Sequence, residues 1–221
     1  MNLKKTFRLI TLSACTLLLN AAVVRAQDSP SLYGQVTMQL VSKSALPPNI
    51  SYKGKFVKAM QYQDNTGKYI ALATQAGIQP QEDVEFKQVH LYTYVYQIKD
   101  NAKPVLRWQL HDSVTDCSLD MVAAFVPGTL NITDVDNNGK AEVWVAYRLG
   151  CSGDISPNEL KIIAHEGATK YGLRGIGKIN VGNITQDDGG VITSNDFKNA
   201  PVSFRQYAGK LWDKYLLEVI Q

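Results

Sequence analysis

His90-Leu-Tyr-Thr-Tyr-Val-Tyr-Gln97 decides the fold class. Its aromatic and β-branched side chains favour extended backbone, because they pack well on a pleated, half-buried surface. Val105-Leu-Arg-Trp-Gln-Leu110 answers it across Lys99-Asp-Asn-Ala-Lys-Pro104, a segment with turn chemistry. The pair predicts an antiparallel hairpin. Period two places Tyr92, Tyr94 and Tyr96 on one strand face. There they serve either as core packing and cross-strand partners or as a platform for stacking sugar rings.

Moving outward, a second hairpin precedes the first. Gly54–Tyr62 alternates apolar and polar residues, Asp64-Asn-Thr-Gly67 turns the chain, and Tyr69–Thr74 resumes the strand. Asn-x-Gly suits that turn because both residues accept positive φ at low cost. Further upstream, Tyr33-Gly-Gln-Val-Thr-Met-Gln-Leu40 reads as one strand, followed by an irregular connection through Pro47-Pro48. Gln75–Glu85 reads as a loop. Downstream, strands are expected at Met121–Val126, Leu130–Thr133, Glu142–Tyr147, Leu160–His165 and Lys170–Arg174. After Pro201 the period changes. Phe204, Ala208, Leu211, Trp212, Tyr215, Leu216 and Val219 recur at three- and four-residue spacing, which predicts an amphipathic helix laid on the sheet. The reading is a mainly β, antiparallel single domain over residues 27–221, built as a sandwich or as propeller-blade-like sheets, with a C-terminal α-helix.

Residues 1–26 read as a signal peptide. Lys4, Lys5 and Arg8 form a positive start, Leu9–Val24 is largely apolar, and Val24-Arg25-Ala26 supplies a cleavage site after Ala26. Leu12-Ser13-Ala14-Cys15 also fits a lipobox, so a lipoprotein anchored through Cys15 is the alternative. The apolar run falls short of the ~20 residues that span a bilayer, and Asn20 interrupts it. The full chain carries 23 basic and 20 acidic side chains; removing the leader's four cations and no acid leaves it nearly neutral. Such a balance provides no basic footprint for nucleic acid. The expected location is therefore the periplasm or cell surface, with no transmembrane segment in the mature chain.

Export also bears on the cysteines. Cys117 and Cys151 remain after the leader, and two thiols in an oxidising compartment ordinarily pair. The bridge would close a loop of roughly 34 residues, worth about 3.5–4 kcal/mol in the chain-entropy account. Enclosed by that loop is Asp134-Val-Asp-Asn-Asn-Gly-Lys-Ala-Glu142. Asp134, Asp136 and Asn138 offer side-chain oxygens, Lys140 its carbonyl, and Glu142 a closing carboxylate. Calcium takes six to eight such hard donors, and Gly139 permits the sharp turn. Asn137-Asn138-Gly139 is also a good turn without any ion, with Asp134 and Asp136 accepting backbone hydrogen bonds. It is not an EF-hand: the twelfth position is Val145, and a strand follows instead of a helix.

The loop resembles the calcium loops of integrin-type FG-GAP repeats, which lie between two β-strands; the resemblance implies a structural ion. A longer stretch resembles exported Bacteroidota proteins known as surface polysaccharide biosynthesis proteins. The matching residues are Asp116-Cys-Ser118, Asp134–Glu142, Tyr147, Cys151, Asp154-Ile-Ser-Pro157, Leu160-Lys161 and Lys170-Tyr-Gly-Leu-Arg-Gly175. That resemblance implies a role in cell-surface glycan assembly, with glycan or envelope proteins as partners, and carries over no catalytic residue.

Catalytic signals are sparse. His90, His111 and His165 are isolated, and His111-Asp112 with Asp116 forms the one His–acid cluster. Ser118 and Ser152 lack a nucleophile-elbow context, and Gly172, Gly175 and Gly177 do not follow a dinucleotide pattern. Asp116, Asp120 and Asp154 are either loop residues or, if they converge, the paired carboxylates of a glycan hydrolase. Lys161, Lys170 and Arg174 are either a solvated strand face or contacts for anionic sugars. The function expected is a non-catalytic exported module associated with surface polysaccharide biosynthesis, stabilised by calcium; the alternative is a glycan-processing hydrolase.

Overall fold

The computed structural model describes residues 31–33, 36–82, 85–182, 184–185 and 189–220. The expected leader, its cleavage site and Cys15 lie outside them. The described elements run β1 (Ser31–Tyr33), β2 (Val36–Val41), β3 (Lys55–Asp64), β4 (Gly67–Gln75), β5 (Gln79–Pro80), β6 (Lys87–Ile98), β7 (Val105–Cys117), β8 (Asp120–Phe125), β9 (Asn131–Thr133) and β10 (Glu142–Ser152). β11 (Glu159–Glu166), β12 (Thr169–Ile176), β13 (Lys178–Val181), β14 (Ile184–Thr185), β15 (Ile192–Asn195), α1 (Val202–Tyr215) and β16 (Leu217–Ile220) follow. The result is a mainly antiparallel β-structure with a single C-terminal α-helix.

Two meanders stack face to face. Sheet I has the order β1-β2-β3-β4-β6-β7, with β5 alongside the first residues of β6. Sheet II has the order β15-β12-β11-β10-β8, with β9 pairing the first residues of β10. Both expected hairpins are present: Asp64 pairs with Gly67 at the tip of β3–β4, and Tyr92 faces His111 in β6–β7.

Strand β10 explains the layering. Strands buried on both faces read as near-continuous apolar runs, and Val143-Trp-Val-Ala-Tyr147 is such a run. Val143, Val145, Tyr147 and Leu149 enter the core between the sheets, with Ala71, Ala73, Leu91, Val95, Leu110 and Ile163. Trp144 and Ala146 enter a second core under α1, with Leu160, Ile162, Phe204, Leu211 and Trp212. Arg148 is the polar exception on that face. Its Nη2 donates to the Tyr215 carbonyl at the helix end, and its Nε lies 3.5 Å from Glu218.

A third apolar layer covers the outer face of sheet I. Tyr92, Tyr94 and Tyr96 pack there with Ile70 and Leu72 beneath Leu46, Ile50, Tyr52 and Phe56. All three rings are buried and stack in a ladder with centroids 6.0 and 6.3 Å apart. The tyrosines are core, not an open platform for sugars.

The helix departs from expectation at its end. It starts after Pro201 but stops at Tyr215, and Leu217–Ile220 runs as a strand parallel to β13. Val219, placed on the helical stripe by periodicity, is 61 % exposed. Leu-Glu-Val-Ile alternates as well as it fits a helical turn, and the tie-breaker is long-range. The Glu218 carboxylate accepts from Asn158 Nδ2 at 3.1 Å and meets Arg148, which holds this segment beside β13.

Candidate metal centre

The acidic loop joins β9 to β10. Asn137 (φ 57°) and Gly139 (φ 79°) take the left-handed conformations that turn it back on itself, which Asn and Gly tolerate best. Asp136 accepts from the Asn138 N–H at 3.2 Å, and Asp134 accepts from the Gly139 N–H at 3.2 Å. Glu142 accepts from the Val135 N–H at 3.0 Å and from the Thr133 hydroxyl, which in turn accepts from Trp144 Nε1 at 2.7 Å. The turn thus accounts for its own donors, and the indole of the helix-side core fixes the closing carboxylate.

Three of the five expected ligands converge. Carboxylate oxygens of Asp134, Asp136 and Glu142 all lie within 4.8 Å of one another. Asp134 is 1 % and Glu142 0 % exposed, while Asp136 is half-buried. Burial, together with the nearby Asp136 and Asp134 charges, pushes the Glu142 carboxyl up to about 7, against the hydrogen bonds from Thr133 and Val135. A hard divalent cation would relieve that crowding, and an all-oxygen donor set suits calcium or magnesium better than zinc.

Asn138 and Lys140 flank the three carboxylates in the same loop. Asn138 Oδ1 accepts from the Lys140 N–H at 2.7 Å, and its amide nitrogen donates to Asp136 at 3.0 Å and to Glu166. Its oxygen thus carries one hydrogen bond of the turn. Lys140 is exposed and lines a neighbouring cavity.

The loop is fastened to the other sheet at its exit. Asp64, at the tip of β3–β4, accepts from the Ala141 N–H at 3.0 Å, and the Asn65 N–H donates to the Gly139 carbonyl at 2.9 Å. Asn65 Nδ2 also reaches the Asn138 carbonyl at 3.2 Å. At the far end of β10, Cys151 is bonded to Cys117 at the end of β7, with Cα atoms 5.9 Å apart.

The other expected candidates disperse. Strand alternation separates His111 from Asp112: β7 runs on to Cys117, so these neighbours face opposite ways. His111 Nε2 pairs with His90 Nδ1 at 3.0 Å. Asp112 instead accepts from the Tyr147 hydroxyl at 2.8 Å and from Lys161 Nζ at 2.9 Å. Burial alone would raise Asp112, but those two donors hold it below the usual carboxylate range. Lys161 also meets Glu159 at 3.2 Å, and Arg174 pairs with Asp196 at 3.1 Å. Both cations are thus paired inside the fold. Asp116 is exposed and accepts from its neighbour Thr115; Asp120 is exposed at the start of β8; exposed Asp154 accepts from Ser152 and Ser156.

One feature had no sequence signal. A cavity of about 310 Å³ opens beside the loop, lined by Asp64, Thr66, Tyr69, Arg107, Trp108, Lys140 and His165, among others. Its residues come from the β3–β4 hairpin, β6, β7, the acidic loop with the start of β10, and the end of β11 with the turn after it, so no contiguous motif marks it.

Comparison with known protein families, with curated proteins and with solved structures returns no match.

Proposed function

We propose that the protein is a non-catalytic exported module, braced by calcium, that supports biosynthesis or assembly of cell-surface polysaccharide at the periplasm or cell surface. The observation that carries the ion is the convergence of Asp134, Asp136 and Glu142 in a strand-to-strand loop, two of them buried. The disulfide fits an oxidising compartment. The glycan role rests on the resemblance of residues 116–175 to exported surface polysaccharide biosynthesis proteins. Among the described residues no helix is long and apolar enough to cross a membrane.

The hydrolase alternative draws no support from the aspartates it would use, since Asp116 and Asp154 are exposed and held by local hydrogen bonds. The test is the melting temperature of the mature protein against calcium concentration, beside an Asp134→Ala/Asp136→Ala variant. An ion bound only by the folded state stabilises by RT ln(1 + [Ca]/Kd), about 2.7 kcal/mol at a hundredfold excess over Kd. A rise in melting temperature absent from the variant is expected. An unchanged melting temperature at millimolar calcium would reduce the loop to a hairpin turn.

A further inference from the structure

The cavity beside the acidic loop has a composition that calls for a ligand. Ligand pockets run from about 300 to 1,000 Å³, are walled mainly by apolar and aromatic surface, and carry a few placed polar groups. At about 310 Å³ this one accommodates a single small ring. Tyr69 stacks on Tyr62 with centroids 5.0 Å apart, and Trp108 stacks on His165 at 4.0 Å, so both aromatic walls are backed by a second ring.

Its charges are unequal. Asp64 is the single acid of the lining, and both its oxygens are occupied. Oδ1 accepts from the Thr66 N–H (2.8 Å), the Thr66 hydroxyl (2.6 Å) and the Gly67 N–H (3.1 Å), and Oδ2 from the Ala141 N–H. Opposed to it stand two cations, Arg107 and Lys140, neither in an ion pair among the described residues. Arg107 donates through one nitrogen to Gln97 Oε1, which orients the guanidinium while leaving other N–H groups for a ligand. The lining therefore offers stacked aromatic faces and two cations against one carboxylate whose oxygens already accept hydrogen bonds.

We propose that this cavity binds a sugar ring bearing a carboxylate, with Trp108 and Tyr69 against the ring and Arg107 and Lys140 on the carboxylate. Sugar rings present C–H faces that lie on aromatic rings, and a guanidinium recognises a carboxylate through paired N–H donors. Lys140 links the two sites: its backbone belongs to the acidic loop and its side chain to the cavity. The inference rests on the glycan reading of the module but not on the ion.

Calorimetric titration of the full mature protein with glucuronate, and in parallel with glucose, tests it. Tryptophan fluorescence provides a second readout, because Trp108 lines this cavity while Trp144 and Trp212 are buried in the core between the helix and its sheet. Saturable glucuronate binding is expected, at least tenfold tighter than glucose and weakened about tenfold in Arg107→Gln/Lys140→Gln. Both substituted side chains are exposed, so the variant's melting temperature should match the parent's. Equal affinity for the two sugars would overturn the charge selection, and no binding of either would overturn the site. Failure of the calcium test leaves this titration intact and readable, so the two readings fall separately.

Discussion

The outer faces of the two sheets are both buried, but their covers differ in kind. Sheet II lies under α1, which satisfies its own backbone; the strand residues beneath it are Trp144, Ala146, Leu160, Ile162, Ala164 and Leu173. Sheet I is covered by an irregular segment that includes Ile50 and Tyr52. Irregular backbone must find partners elsewhere when it is buried, and here the sheet supplies them. The Lys53 N–H donates to the Tyr94 hydroxyl at 3.1 Å, the Tyr96 hydroxyl donates to the Ser51 carbonyl, and the Thr74 hydroxyl donates to the Lys53 carbonyl at 2.6 Å. A helical cover permits a dry sheet, whereas an irregular cover demands hydroxyls from it. The tyrosines of β6 are thereby explained as apolar bodies with polar tips.

The largest effect should fall on the helix-covered side. Trp144→Ala removes the most buried tryptophan and the donor that positions Thr133 against Glu142. A loss of about 3–5 kcal/mol is expected in urea unfolding, with unfolding remaining cooperative. A cost under 1 kcal/mol would show that α1 is a loose cover and erase the contrast.

The layer between the sheets gives the next effect, and it depends on pH. Burial first, then the charge of Lys170, lowers His165 from its ordinary value of 6.5 to about 4. Between those values the unfolded chain holds more of the proton than the folded one. Stability should therefore be full above pH 6.5 and fall as pH drops toward 4, by up to about 3 kcal/mol. His165→Phe keeps a ring against Trp108, and the difference between its pH profile and the parent's isolates this group. Parallel profiles from pH 7 to 4 would show that the site is open enough to hold an imidazolium.

The smallest effect lies under the irregular cover. Tyr96→Phe should cost about 1 kcal/mol, the worth of one hydrogen bond. Tyr94→Phe should speed amide exchange at Lys53 more than in β10, because it strips the acceptor from that N–H. Uniform acceleration across both sheets would mean that the cover does not open locally.

Long alternating or continuous apolar segments were legible because the burial of each face is written into neighbouring residues. Strands β6, β10 and β11 were found for that reason, and the helix start for its proline. The end of α1 was not, since Leu217–Ile220 satisfies both periods and only Arg148, Asn158 and β13 decide between them. The carboxylate cluster is visible because its donors are contiguous, and the turn role of Asn138, whose amide bonds Lys140 and Asp136, is the other half of the same pattern. The His111–Asp112 cluster failed because β7 extends farther than its apolar residues suggest. The cavity assembles from five separated segments, and nothing in any one of them points to the others.

The two fastenings of β10 have a mechanical meaning. Residues 139–141 are held by the β3–β4 tip and Cys151 by Cys117, so the same strand is pinned to the opposite sheet at both extremities. At about 3.3 Å per residue these pins stand roughly 30 Å apart. Plates riveted at one point can rotate about it; plates riveted at two can neither slide nor pivot. A pull along β10 is thus shared between a covalent link and a cluster of backbone hydrogen bonds. Reduction of the bridge would shift that load onto the loop end and onto Asp112, which bonds Tyr147 and Lys161 midway along the seam.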